Sequence, residues 1–207
     1  MKRFSSIVSV LIILGVIYWS FADLKPSLQT SKSSTETGFS IENALNHLKK
    51  ISKEAHYTGS KEHKKVQSYI VTELQKMGFE TEIQTQTAIN KKWFAATTAE
   101  NIIAKLKGSG SGKALLLLTH YDSNPHSSLG ASDAGSGVVT ILEGLRAFIA
   151  KNETQKNDIV VLISDAEELG LLGAQAFVDA HSWTKDIGLI LNFEARGSGG
   201  PSYMLME

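Results

Sequence analysis

The chain has no cysteine and only three prolines in 207 residues. Without cysteine there is no disulfide framework, no thiol nucleophile and no Cys-ligated zinc site. Any metal must therefore sit on His, Asp and Glu. Net charge is lacking too, since 21 Lys and Arg balance 21 Asp and Glu. That balance excludes a strongly basic nucleic-acid binder, so no nucleic acid is expected as a partner. Aromatics make up only 8%, yet 42% of the residues are hydrophobic, which suits one globular domain with a core.

The zero balance hides an asymmetry. Residues 1–119 hold 16 Lys/Arg and 9 Asp/Glu, a balance of +7, whereas residues 120–207 hold 5 and 12, a balance of −7. An acidic half invites a search for a cation site. A solvated acidic surface is the bland alternative, so the position of each carboxylate has to decide.

One stretch lacks charge altogether. Residues 4–22 run for 19 positions without it, directly after Lys2 and Arg3. As a helix this stretch measures about 28 Å at ~1.5 Å per residue, close to the hydrocarbon thickness of a bilayer. Tyr18 and Trp19 stand at its far end, where interfacial aromatics gather. Residues 1–22 are expected to be a membrane anchor. A signal peptide is the rival, with Ser20 and Ala22 as the small residues of a cleavage site. Both readings carry the domain out of the cytoplasm. It would be membrane-anchored in the periplasm, outside the cell or in a lumen, or secreted if the segment is cleaved. Residues 23–39 are rich in Ser, Thr and Lys and read as a linker.

From residue 40 apolar periodicity begins. Ser40 can cap a helix to about Ser52, with Ile41, Leu45, Leu48 and Ile51 on one face. A second helix over 62–77 has Val66, Tyr69, Ile70, Leu74 and Met77 as its stripe. Strands are expected over 79–87 and 101–106. Strand–loop–helix units come next, with apolar strands at 114–119, 159–164 and 187–193 and helices at 134–149 and 169–180. Continuous apolar strands alternating with helices imply a sheet covered on both faces. The expected class is therefore α/β, a three-layer α/β/α sandwich around a mixed, largely parallel sheet.

The ends of the apolar strands are the informative part. The first strand leads into His120-Tyr121-Asp122, the second into Asp165-Ala166-Glu167-Glu168, the third into Glu194. In open α/β sheets ligands bind at the carboxyl ends of the strands. Asp133 adds an arm from the loop before the next helix. If these ends converge, carboxylates about 4 Å apart repel by roughly 4 kcal/mol per pair at an effective dielectric near 20. Divalent cations resolve this, and one His among several carboxylates suits zinc better than calcium. Taken singly, a strand-end His or an acidic helix start is ordinary structure; the joint pattern is not.

These blocks resemble the M28 family of zinc aminopeptidases, most closely its membrane-bound vacuolar and endoplasmic-reticulum branch. The resemblance rests on His120-Tyr-Asp-Ser123, Gly130-Ala-Ser-Asp133-Ala-Gly-Ser-Gly137, Asp165-Ala-Glu-Glu-Leu-Gly-Leu-Leu-Gly173 and Asn192-Phe-Glu-Ala-Arg-Gly197. His56-Tyr-Thr-Gly-Ser60 upstream is also similar, and the likeness covers about residues 40–207. It implies a site of two zinc ions bridged by Asp133, with His120 and Glu194 on one ion and Glu168 on the other. It further implies Glu167 as general base and Asp122 as a carboxylate supporting His120. The implied activity is removal of N-terminal residues from peptide substrates through a metal-bridging water. Related folds also carry other amidohydrolases, glutaminyl cyclases and inactive receptors or scaffolds, which remain the alternatives. Two departures stand out. Ala134 stands after the bridging Asp where the family often has Asp or Asn, and the family's last His ligand, expected well downstream of Glu194, has no counterpart before Glu207. Residues 40–207 are thus expected to be the N-terminal portion of the domain, incomplete at the C-terminus.

Overall fold

The computed structural model describes residues 2–23, 36–126 and 128–195. Arg196, most of the expected linker and the last residues of the chain lie outside the described residues. The first helix, α1 (Lys2–Asp23), has 22 residues, and its apolar side chains stand exposed, from Phe4 to Phe21. Among the described residues no helix is long and apolar enough to cross a membrane.

The domain begins at Ser40. Its hydroxyl accepts a hydrogen bond from Asn43 N at 3.2 Å and so starts α2 (Ile41–Ile51). The expected face of α2 is partly wrong. Ile41 and Leu45 are exposed, while Ala44 and Ile51 are buried beside Leu48. A helix at the rim of a layer buries a narrow stripe, here 44, 48 and 51. Ser60 caps α3 (Lys61–Lys76) in the same way, accepting from His63 N at 3.1 Å. The buried stripe of α3 is His63, Val66, Gln67, Ile70 and Leu74. Two of its five members are polar.

Among the described residues, five strands form one sheet in the order β1-β2-β4-β3-β5. β1 (Glu80–Asn90) and β2 (Ala95–Leu106) make a long antiparallel hairpin, paired from Glu80 with Lys105 to Asn90 with Ala95. Both outrun their expected lengths, because the added ends, Ala88–Asn90 and the Ala- and Thr-rich Ala95–Glu100, show no apolar alternation but still complete a backbone ladder. β3 (Ala114–His120), β4 (Ile159–Ser164) and β5 (Ile187–Asn192) are parallel to one another, and β2 joins β4 antiparallel. Four pairings thus divide into two parallel and two antiparallel.

Against the expectation of coverage throughout, the edge strand β5 stands exposed at Leu189, Ile190 and Leu191 among the described residues. Over β2 and β4 both faces of the sheet are covered. On one, Ile102, Ala104, Val161 and Ile163 meet α2, α3 and α4 (Ser136–Ile149). On the other, Ile103, Val160, Leu162 and Leu116 meet Phe177 of α5 (Leu172–Ala180). Successive residues of β2 and β4 serve opposite layers, as period-two side chains must. All six residues of β4 are buried. Register sets the rest: His120 pairs with Ser164 and Leu118 with Asn192. The carboxyl ends of β3, β4 and β5 are therefore level at one edge.

Candidate metal centre

His120 ends β3 and is 1% exposed. Its ring reaches Asp133, with Nε2 2.9 Å from Oδ1. Asp133 comes from the irregular turn Ala131–Gly135 that leads into α4, and its peptide bond to Ala134 is cis. Glu194, two residues past β5, places Oε1 3.6 Å from the same nitrogen. Ligand atoms of His120, Asp133 and Glu194 lie within 4.8 Å of one another. Three chain segments that are far apart in sequence thus supply one potential coordination shell. Gly137 allows the approach, since a Cβ there would stand 2.4 Å from Thr119 Oγ1 and 2.6 Å from Phe193 O. Any side chain would push α4 off the strand ends that carry His120 and Glu194.

Glu167 and Glu168 belong to the loop after β4, not to the first turn of the next helix, which begins at Leu172. Asp122 fastens this loop. Its Oδ1 accepts from Glu167 N at 3.1 Å and its Oδ2 from Glu168 N at 3.2 Å. The same Oδ1 lies 3.3 Å from His120 Nδ1. Asp122 thus touches both the imidazole, whose Nδ1 is also 3.1 Å from the Asp122 carbonyl oxygen, and the backbone of the acidic pair. Glu167 Oε2 comes to 3.8 Å of His120 Nε2. Glu168 Oε2 accepts from Asn124 Nδ2 at 2.7 Å; Glu168 is not among the three residues whose ligand atoms come together, though it feels the charge of Asp133.

The electrostatics are unbalanced. Burial pushes Glu167 up to about 7, and the negative charges of Glu194, Asp122 and Glu168 reinforce it against the pull of His120. Burial also raises Asp133 and Glu168. Glu194 is held low, against burial, by His120. Burial alone would depress His120, but Asp122, Glu194 and Glu167 carry it up to about 11. One imidazole thus faces an excess of carboxylates, and without a cation the cluster must hold protons. A neutral His with carboxylates is a zinc donor set, so the residues present fit that ion.

His181, the remaining downstream histidine, hydrogen-bonds Glu82 Oε1 at 2.7 Å and stacks on Phe177 beyond the end of α5. It contributes nothing to the cluster. Sequence reasoning passes over His63, Asn124 and the role of Asp165. His63 falls seven residues before Ile70 on the buried stripe of α3, so its position on that stripe is the available signal.

The model of peptidase family M28 matches residues 101–207. This chain belongs to peptidase family M28. Among its relatives, a vacuolar membrane protease of Candida dubliniensis is 32% identical over 197 residues, 91% of this chain and 20% of that protein. One of Candida albicans is 32% identical over 201 residues, 96% of this chain and 23% of its own length. The M28 chain thus spans about a fifth of these relatives. Solved structures share its fold. A leucine aminopeptidase precursor from Bacteroides thetaiotaomicron superposes with a TM-score of 0.62 at 21% identity, over 77% of this chain and 62% of that one. A zinc-dependent exopeptidase from Parabacteroides distasonis gives 0.59 at 23%, over 70% and 57%. A glutaminyl cyclase from Porphyromonas gingivalis gives 0.61 at 24%, over 70% and 54%.

Proposed function

We propose that this M28 domain carries the principal machinery of a zinc-dependent aminopeptidase. The observation that supports it is a division of labour among the acids. His120, Asp133 and Glu194 crowd one point, while Glu167 stands at its margin, 3.8 Å from His120 Nε2. His120, Asp133 and Glu194 would hold one zinc ion, and Asp133 with Glu168 a second. Zinc bound there polarises a carbonyl and brings the pKa of water towards ~7. Glu167 takes a proton from the attacking water and delivers it to the departing amine. Burial, reinforced by the acids around it, raises its affinity for that proton, which suits a group that must hold and then release it. Asp122 keeps His120 and the backbone of the Glu167 loop in register throughout.

The test begins with metal-stripped protein and measured additions of zinc. Amino-acid amides, N-acetylated peptides and peptides with N-terminal Gln are offered in parallel. Zinc-dependent release of free amino acids from the unblocked substrates alone is expected. Equal cleavage of acetylated peptides would remove the aminopeptidase reading, and cyclisation of N-terminal Gln would replace it with a cyclase. Protein that takes up no zinc would be an inert scaffold.

The same reading places the domain at a membrane. Residues 4–22 carry no charge, lie within helix α1 and expose their apolar side chains, which supports an anchor with the domain on the far side from Lys2 and Arg3. Membrane fractions washed with alkaline carbonate should retain the protein. Release, with an N-terminus starting near residue 23, would show a cleaved signal instead.

A further inference from the structure

A second His–carboxylate pair lies behind the metal cluster. Asp165 is 1% exposed and accepts from four donors. His63 Nε2 stands 2.8 Å and Thr58 Oγ1 3.0 Å from Oδ1, Ala166 N is 2.7 Å from the same oxygen, and Glu100 N is 2.9 Å from Oδ2. Its own N–H goes to Asn101 Oδ1 at 3.0 Å. Gly173 closes the other side, where a Cβ would come within 2.1 Å of Asp165 O. Directly after this fixed point Ala166 takes a left-handed conformation, φ 54°, and Glu167 and Glu168 come next. The direction in which both acids leave β4 is therefore set at Asp165.

His63 touches the other arm as well. Its ring stacks on Tyr121, 4.5 Å between centroids and 19° between planes. Tyr121 is the residue between His120 and Asp122. Its hydroxyl donates to Glu100 O at 2.9 Å and accepts from Gln67 Nε2 at 3.0 Å. One imidazole on α3 thus meets both strand ends of the site. Its Nδ1 is buried with no partner. An apolar ring would fill the same space without that orphan atom, so packing alone does not call for His.

We propose that His63, through its hydrogen bond to Asp165 and its stack on Tyr121, is a positioning residue that sets Glu167 and Glu168 against His120. The inference rests on the zinc-peptidase reading above. His63→Phe keeps a flat ring for Tyr121 but removes the donor, and His63→Gln can return an N–H towards Asp165. Zinc affinity is measured by chelator competition, kcat and KM on an amino-acid amide, and Tm, all on the full-length protein in detergent. For His63→Phe, zinc binding and kcat are each expected to fall by about 10-fold or more, with KM within about twofold. His63→Gln is expected to recover most of both at temperatures well below either Tm. A folded His63→Phe with unchanged zinc affinity and kcat overturns the proposal. So does His63→Gln impaired as deeply as His63→Phe, because the hydrogen bond would then be irrelevant. If His63→Phe does not fold, Thr58→Val carries the test, since it removes one donor from the same oxygen. It should weaken zinc binding by about twofold to tenfold, and no change overturns the proposal. Wild-type protein that binds zinc but cleaves nothing sinks the aminopeptidase reading, while the affinity contrast still decides the role of His63. Wild-type protein that binds no zinc sinks both.

Discussion

Among the described residues, two clusters surround a fully buried histidine with carboxylates, and they are built on opposite terms. At His63 and Asp165 one imidazole meets one carboxylate, both almost fully buried, and four donors satisfy that carboxylate. At His120 one imidazole faces Asp122, Asp133, Glu167 and Glu194 within 3.8 Å, and the outer members reach solvent. In the first, the carboxylate has a donor for each of its demands. The second has more negative groups than donors can serve and an open side through which a cation could enter. Residue type does not separate structure from chemistry here. The count of donors against charges does.

The sharpest way to break the comparison is at Glu167. If the open cluster is catalytic and Glu167 moves the proton, Glu167→Gln should lower kcat about 10²–10⁴-fold. Zinc content should stay at the wild-type level, because the amide replaces a group outside the three closest ligands. Steady-state kinetics beside metal analysis reads both. Near-native turnover would hand the base role to another group.

Next comes the closed cluster. Removing Asp165 leaves four donors without their acceptor, and a buried donor left unsatisfied costs about 1–3 kcal/mol. Asp165→Ala should lose stability on that scale in urea unfolding of the metal-free protein. A loss below about 1 kcal/mol would mean that the four donors find other acceptors.

The two clusters also differ in how readily the sequence discloses them. The open one is legible, because apolar runs at 114–119, 159–164 and 187–193 end in acids or His, and a level register brings such ends together. The layers are legible for the same reason. The closed cluster is not, for its key contact joins α3 to a strand end 102 residues later. A His on an apolar stripe gives no hint of its partner. The hairpin ends around Asn90 and Ala95 are equally hidden, since ladder hydrogen bonds leave no mark in side-chain polarity. β5 shows the converse. It reads as apolar as β4, yet Leu189, Ile190 and Leu191 are exposed among the described residues. Apolar composition marks a strand, and neighbours decide its burial.

Acid should separate the clusters by sign. Burial holds His47 and His56 below 6.5, so the unfolded chain takes up their protons first as pH falls. Their contribution is intact above about 6.5 and declines below it. Asp165, though burial opposes it, is kept below 3.8 by His63 and the backbone donors, so its stabilisation is present above 3.8 and lost as pH drops further. His120 runs the other way. Its value near 11 in the metal-free protein means stabilisation that is full below 6.5 and lost as pH rises towards 11. Burial raises Glu167, Asp133 and Glu168, which gain stability as pH falls through the same range, so the test is a difference: in urea unfolding of metal-free protein, wild type should lose stability relative to His56→Gln between pH 7 and 5. A constant difference would show that burial of His56 does not contribute.

The smallest effect is the most discriminating. In the metal-free protein Asp133 is half exposed and sits among like charges. Removing it relieves repulsion and gives up one contact to His120, so Asp133→Ala should change stability by less than about 0.5 kcal/mol. The same variant should lose stoichiometric zinc, because Asp133 is common to both proposed ion positions. Unfolding curves that coincide without zinc and separate when zinc is added would show that the open cluster contributes stability only through its cation. A metal-free loss as large as that of Asp165→Ala would make the two clusters alike, and Asp133 would then be part of the framework.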